Sequence, residues 1–168
     1  MYASVSEAEI ESRIAKCHES VRSIFSYWRD RCREGGMPCR RDIDPVDLRF
    51  HLPNIILVDV VSDERRFVYR LVGTHEVAGR GYDPTGMSVA SSFYAASKEA
   101  ALACYQHVVQ ERRAFCFKDP YVTLDGWHEE EDTIYLPISE DGVNVSMILV
   151  YSHSYNFRPR IGGTLLLR

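Results

Sequence analysis

Three groups of side chains in this sequence have types and spacings that could do chemistry. The first is the run His128-Glu-Glu-Glu-Asp132, which sets an imidazole beside four carboxylates, as a metal or acid/base site would. The run adjoins the turn pair Asp125-Gly126, so the solvated entry of a hairpin is the better account of it. The second is the pair His75 and His107, either of which could offer a ring nitrogen to a haem iron. The third is Tyr69, Leu71, His75, Tyr94, Tyr105, Tyr135 and Met147. Tyrosines have an apolar body and a polar tip, which suits a cavity for a small apolar or aromatic molecule. The same side chains could simply fill a core. Arg70 stands mid-strand in an apolar context, and a buried arginine needs a partner. Asp59 and Asp83 are the candidates for a structural ion pair with it.

Other chemistries lack their signatures. Gly79-Arg-Gly81 has no strand-to-helix dinucleotide context, and no Walker loop occurs. No serine, cysteine or histidine falls into a nucleophilic spacing, so the expectation is a protein that is not an enzyme. The five cysteines form no CxxC pair, which argues against a zinc site or disulfide framework and for a reducing, cytoplasmic setting. A net charge of −4 argues against a nucleic-acid partner, and the arginines between Arg29 and Arg49 alternate with acids. No apolar run approaches the ~20 residues that span a bilayer, so no membrane partner is expected.

The elements that would position these residues are read from pattern. Ser6-Glu-Ala-Glu9 fits a capping box, and a long helix is expected to continue to about Arg33. Its apolar positions Ile10, Ile14, Cys17, Val21, Ile24 and Trp28 are spaced 4, 3, 4, 3, 4, a heptad seam. Such a seam either packs on its own domain or pairs with a second copy. Gly35-Gly36 and Pro38 end it, which places a domain boundary there: residues 1–37 as a helical extension, 38–158 as the domain and 159–168 as a tail. Ile55 to Val61 and Phe67 to Gly73 read as a strand hairpin. On the second strand Phe67, Tyr69 and Leu71 alternate against Val68, Arg70 and Val72. Short glycine-broken turns come next, including Asp83-Pro-Thr-Gly86. Then comes a helix from Lys98 to Arg112, capped by Ser97, whose inner stripe leaves His107 facing solvent. Three strands close the chain, near 115–124, 133–138 and 143–152.

Two strands, a group of helices, then three hairpin-linked strands is the element order of the PAS domain. Several stretches make the resemblance specific: Tyr27-Trp28, Pro38-Cys-Arg-Arg-Asp-Ile-Asp-Pro45, Leu52-Pro53, Phe67-Val-Tyr-Arg-Leu-Val-Gly-Thr74 and Asp83-Pro-Thr-Gly86. They resemble the stand-alone PAS family common in alphaproteobacteria, over roughly Phe25 to Tyr155. The resemblance implies an α+β fold, a five-stranded antiparallel sheet with helices on one face, and a cavity between them. It also implies a sensory or regulatory role in signal transduction, exerted through an unidentified protein partner. A homodimer built on the seam Ile10, Ile14, Val21, Ile24 and Trp28 fits that picture. No cofactor is specified. A haem- or other cofactor-binding sensor is the alternative, and a small enzyme the reading from a different class.

Overall fold

The structure is a computed structural model. It describes residues 6–33, 36–118, 120–122, 126, 128–156, 160–161 and 164–165. Two helices, α1 (Glu7–Ile14) and α2 (Glu19–Arg29), precede the hairpin β1 (Ile55–Val60) and β2 (Phe67–Val72). Helices α3 (Thr74–Arg80) and α4 (Lys98–Glu111) come after it, then β3 (Phe115–Phe117), β4 (Tyr121–Val122), β5 (His128–Glu129), β6 (Glu131–Ile138) and β7 (Met147–Ser154). Strands β1, β2, β3, β6 and β7 form one antiparallel sheet in the order β2-β1-β7-β6-β3, the architecture expected from the sequence. Strands β4 and β5 pair separately, so the expected third strand breaks after Phe117. The Asp125-Gly126 turn lies partly outside the described residues, as does Gly35. In the tail, Arg160–Ile161 (β8) pairs with Thr164–Leu165 (β9), and the rest lies outside them.

Alternation along the strands gives the sheet two apolar faces, and both are covered. Ile56, Val58, Ile148 and Val150 face α4, through Ala101, Cys104, Tyr105 and Val108. Ile55, Leu57, Ile134, Leu136 and Leu149 face α1 and α2. The helices between Thr74 and Glu111 thus pack on one face, as expected, and the N-terminal helices cover the other.

The long N-terminal helix is in fact two. The capping box at its start forms: Glu9 N–H donates to Ser6 Oγ (3.3 Å) and Ser6 N–H to Glu9 Oε2 (3.0 Å). The chain then leaves the helix at Ala15 and starts again at Glu19, with the His18 ring accepting from Ser20 N–H (3.3 Å). The heptad spacing crosses this break because both helices lie on one surface. Ile10, Ile14, Cys17, Val21, Ile24 and Trp28 are each no more than 7% exposed, all against the sheet or one another. Trp28 also donates its indole N–H to Pro137 O (2.8 Å). The seam packs within the chain, against the sheet.

The connector after α2 is stapled back to it. Arg31 pairs with Asp47 (2.8 Å) and Arg33 with Asp42 (2.6 Å), while Tyr27 Oη accepts from Asp44 N–H (2.8 Å). The interleaved arginines and acids of this region are thus partly exposed ion pairs.

At the helix break, the buried carboxylate of Asp132 on β6 gathers three donors. It accepts from His18 N–H (2.7 Å) and Tyr155 Oη–H (2.7 Å), and Lys118 Nζ stands 3.0 Å from its other oxygen. Burial alone would raise its pKa, but these donors outweigh it and hold the carboxyl below its ordinary value of 3.8. A depressed folded-state pKa contributes stability above the unfolded value and loses it as pH falls through the folded one. Asp132→Asn is therefore expected to cost about 1–3 kcal/mol at neutral pH. The loss should shrink in acid as the wild-type carboxyl protonates, which urea titrations across pH will measure.

Candidate ligand cavity

One wall of the cavity is made by β2 and the segment from Gly73 to Val89. Val58 pairs with Tyr69 while Leu57 pairs with Leu71, so Arg70 is an extra residue in the ladder, a β-bulge. The bulge keeps Phe67 and Tyr69 inward, turns Leu71 outward (44% exposed) and brings Val72 back in. At Gly73 the chain leaves the sheet and caps α3. Its backbone passes so close to the Leu52-Pro53 turn that a Cβ there would meet the Leu52 carbonyl oxygen at 2.5 Å, and that of Pro53 closer still. Helix α3 ends at Gly81, whose left-handed φ of 78° lets the chain turn back over the sheet. Asp83 caps the next turn, accepting from Thr85 N–H (2.9 Å). Residues 86–89 then run along β2, with Gly86 N–H donating to Tyr69 O (2.7 Å) and Val89 N–H to Phe67 O (2.9 Å). That pairing covers the outer edge of the sheet.

Between this wall, α4 and the inner face of β6 and β7 lies a cavity of about 70 Å³. Tyr69, Tyr94, Tyr105 and Tyr135 surround it, with alanines 95, 96, 100 and 101 giving it an apolar side. The Tyr105 ring stands edge-on to Tyr135 (5.3 Å between centroids). Burial raises the pKa of Tyr69, Tyr105 and Tyr135, so all three are neutral phenols at physiological pH. Thr133 and Ser152, bonded to each other (2.9 Å), add hydroxyls from the sheet.

The cavity also holds a cation that no pattern in the sequence singles out. Arg80, the last residue of α3, is 7% exposed and lies between two rings, 5.1 Å from the centroids of Tyr69 and of Tyr94. Its Nη1 donates to Ser92 O (3.1 Å) and Tyr69 Oη (3.4 Å), and its buried Nε has no partner. Burial opposes its charge, and the surrounding Tyr69, Glu76 and Tyr105 oxygens outweigh it. The signal in the sequence was an arginine between two glycines, which invites a phosphate-loop reading rather than a buried side chain.

Of the expected cavity residues, the four tyrosines are there and three others are not. Leu71 was turned out by the bulge. Met147 packs on the opposite face, with α1 and α2. His75 is exposed at the start of α3, its Nδ1 3.3 Å from Asn54 Oδ1. His107 is not at the cavity either, and it is not solvent-facing as expected: it is 7% exposed, its ring edge-on to Phe115 at 4.8 Å. The wheel missed this because the flank of α4 is covered by the edge strand β3. The His128–Asp132 run does not converge, since His128 is exposed while Asp132 is buried at the helix break. Among the described residues no group of three or more His, Cys, Asp or Glu is placed to hold a metal.

The candidate ion pair forms in part. Arg70 Nη1 lies 3.3 Å from Asp59 Oδ2, at the surface and not in the core, and Asp83 is engaged with Thr85 instead. Exposed pairs contribute about 0–1 kcal/mol. Asp59→Asn should therefore leave the thermal midpoint within ~4 °C of the wild type by calorimetry.

A family model described as the PAS domain matches residues 16–150. The chain belongs to the PAS domain family. The match takes in α2 as well as the sheet and the cavity helices. No curated protein matches this PAS chain in sequence. Among solved structures it is similar in fold to a light-oxygen-voltage domain studied with a flavin analogue (TM-score 0.50, 12% identity, covering 66% of this chain and 83% of that one). It is also similar to the PAS domain of the fruit-fly ELK potassium channel (0.48, 13%, 67% and 95%). A third is the light-oxygen-voltage protein of Rhodobacter sphaeroides (0.48, 13%, 80% and 68%). The cavity of this PAS domain does not fit a flavin or a haem. Its ~70 Å³ is far below the ~300–1,000 Å³ of drug-sized sites, and no described histidine lines it. No described helix is long and apolar enough to cross a membrane.

Proposed function

We propose that this PAS domain is a sensory or regulatory module in signal transduction. A small molecule occupies the sheet–helix cavity, and occupancy is passed to a partner protein through surface contacts. The observation that carries this reading is the cavity ringed by Tyr69, Tyr105 and Tyr135. Strand β6 supports the coupling. It places Thr133 and Tyr135 in the cavity and, by alternation, Ile134 and Leu136 against the N-terminal helices. A shift of the strand at the ligand therefore moves the packing surface of α2. Pairing with a second copy belongs to the same proposal, and it would use exposed apolar groups such as Val46, Phe50 and Leu71 rather than the buried seam.

Native mass spectrometry of freshly purified protein tests this, because it reports oligomer and retained ligand together. The expected result is a small adduct on the folded chain, with no absorbance above the aromatic band. A chromophore-sized adduct, or no binding by any small molecule tried, would overturn it.

A further inference from the structure

We infer that the cavity recognises a small monoanion, a carboxylate of about two to four carbons, held by the guanidinium of Arg80. This rests on the proposed reading of the cavity as a ligand site and names the class of ligand.

The argument starts from the donors of Arg80. A guanidinium has five N–H donors and no acceptor. Only Nη1 is used among the described residues, by Ser92 O and Tyr69 Oη. The buried Nε has no partner, and the hydrogen bonds that Arg80 makes to described residues both come from Nη1. Nε and Nη2 present their donors along one edge of the planar guanidinium, the fork that takes both oxygens of a carboxylate in parallel. Arg80 also makes no ion pair with a described carboxylate, though it is 93% buried. Glu76 lines the same cavity and favours the Arg80 charge from a distance, but no described carboxylate is within ion-pair distance of the guanidinium, and a ligand anion would fill that place. The Tyr69 hydroxyl accepts from Arg80, so its own proton is left to donate to the same anion.

Size and charge narrow the class. A cavity of about 70 Å³ holds only a few heavy atoms. Glu76 and Glu131 also line it; they repel any anion, and a dianion about twice as strongly as a monoanion, which sets a monocarboxylate above a phosphate. Alanines 95, 96, 100 and 101 offer an apolar side for a short alkyl tail.

The test tracks amide chemical shifts of the intact chain by NMR during titration with acetate, propionate, propionamide and inorganic phosphate. The expected result is saturable shifts at cavity residues with propionate, at least about tenfold weaker binding of phosphate, and none with the isosteric amide. Arg80→Met should abolish the propionate response, and Tyr69→Phe should weaken it. Binding of propionamide as well as propionate would overturn the anion assignment and leave the cavity reading standing. Binding of none of the four would overturn the anion assignment, and a negative screen of small neutral aromatics would then overturn the cavity reading too. If Arg80→Met fails to fold, Arg80→Lys keeps the charge without the fork. An undiminished propionate response in Arg80→Lys would overturn the fork.

Discussion

Replacing Val21 by glutamate is expected to destabilise the protein by about 4 kcal/mol or more. Val21 is fully buried in the cluster formed by α1, α2 and the outer face of the sheet. A carboxylate there either is buried without a partner or pushes α2 off Leu136, Ile138 and Leu149. A dimer seam would behave otherwise, since the same substitution would give a folded monomer. Light scattering alongside far-UV circular dichroism separates the two. The expected outcome is a lowered denaturant midpoint, with exposed sheet surface promoting aggregation. A stable, well-folded Val21→Glu monomer would show that α2 is not docked in cis.

The order of elements was legible because turn chemistry and period-2 alternation are local. Ser62-Asp-Glu-Arg65 is a short polar connection between two strand-forming runs, which implies a hairpin, and the five central strands were readable from such signals. The features that were not legible depended on partners distant in sequence. The helix break at Ala15–His18 is hidden because Cys17 continues the heptad spacing, and the residue that restarts the helix is a histidine, an uncommon cap. Cys17 and Cys116 lie 99 positions apart, yet their sulfurs are 3.2 Å from each other. Their spacing in sequence carried no hint of this.

The site was legible by residue type more than by face. Tyr69, Tyr94, Tyr105 and Tyr135 reach the cavity because bulky amphipathic side chains on inward positions have few other places to go. Leu71 failed because strict alternation cannot foresee a bulge, and one extra residue inverts every position after it. Met147 failed because β7 is apolar on both faces, so hydrophobicity did not say which face it joins. Arg80 was missed because arginine is read as a surface residue until a structure shows it between two rings.

Gly73→Ala is expected to cost about 3 kcal/mol, a fall of roughly 6–12 °C in the thermal midpoint. The cause is not backbone freedom, since φ at Gly73 is −62°, open to any residue. It is the approach of the Leu52 and Pro53 carbonyls, backbone atoms that cannot rotate aside as a side chain would. Gly142→Ala is the control, with φ at 77° and open space where the Cβ would go. It should lose only about 1–2 kcal/mol, from left-handed strain. The two motif stretches Leu52-Pro53 and Gly73-Thr74, separate in sequence, are therefore one contact. Gly73 also caps α3, and Arg80 closes that helix seven residues later. An alanine that holds the chain away from the turn shifts the start of α3 and with it the guanidinium between Tyr69 and Tyr94. Gly73→Ala should thus weaken propionate binding as well as stability, whereas Gly142→Ala, in the turn between β6 and β7, should change stability alone. Equal binding by the two variants would break the link between the Gly73 contact and the position of Arg80.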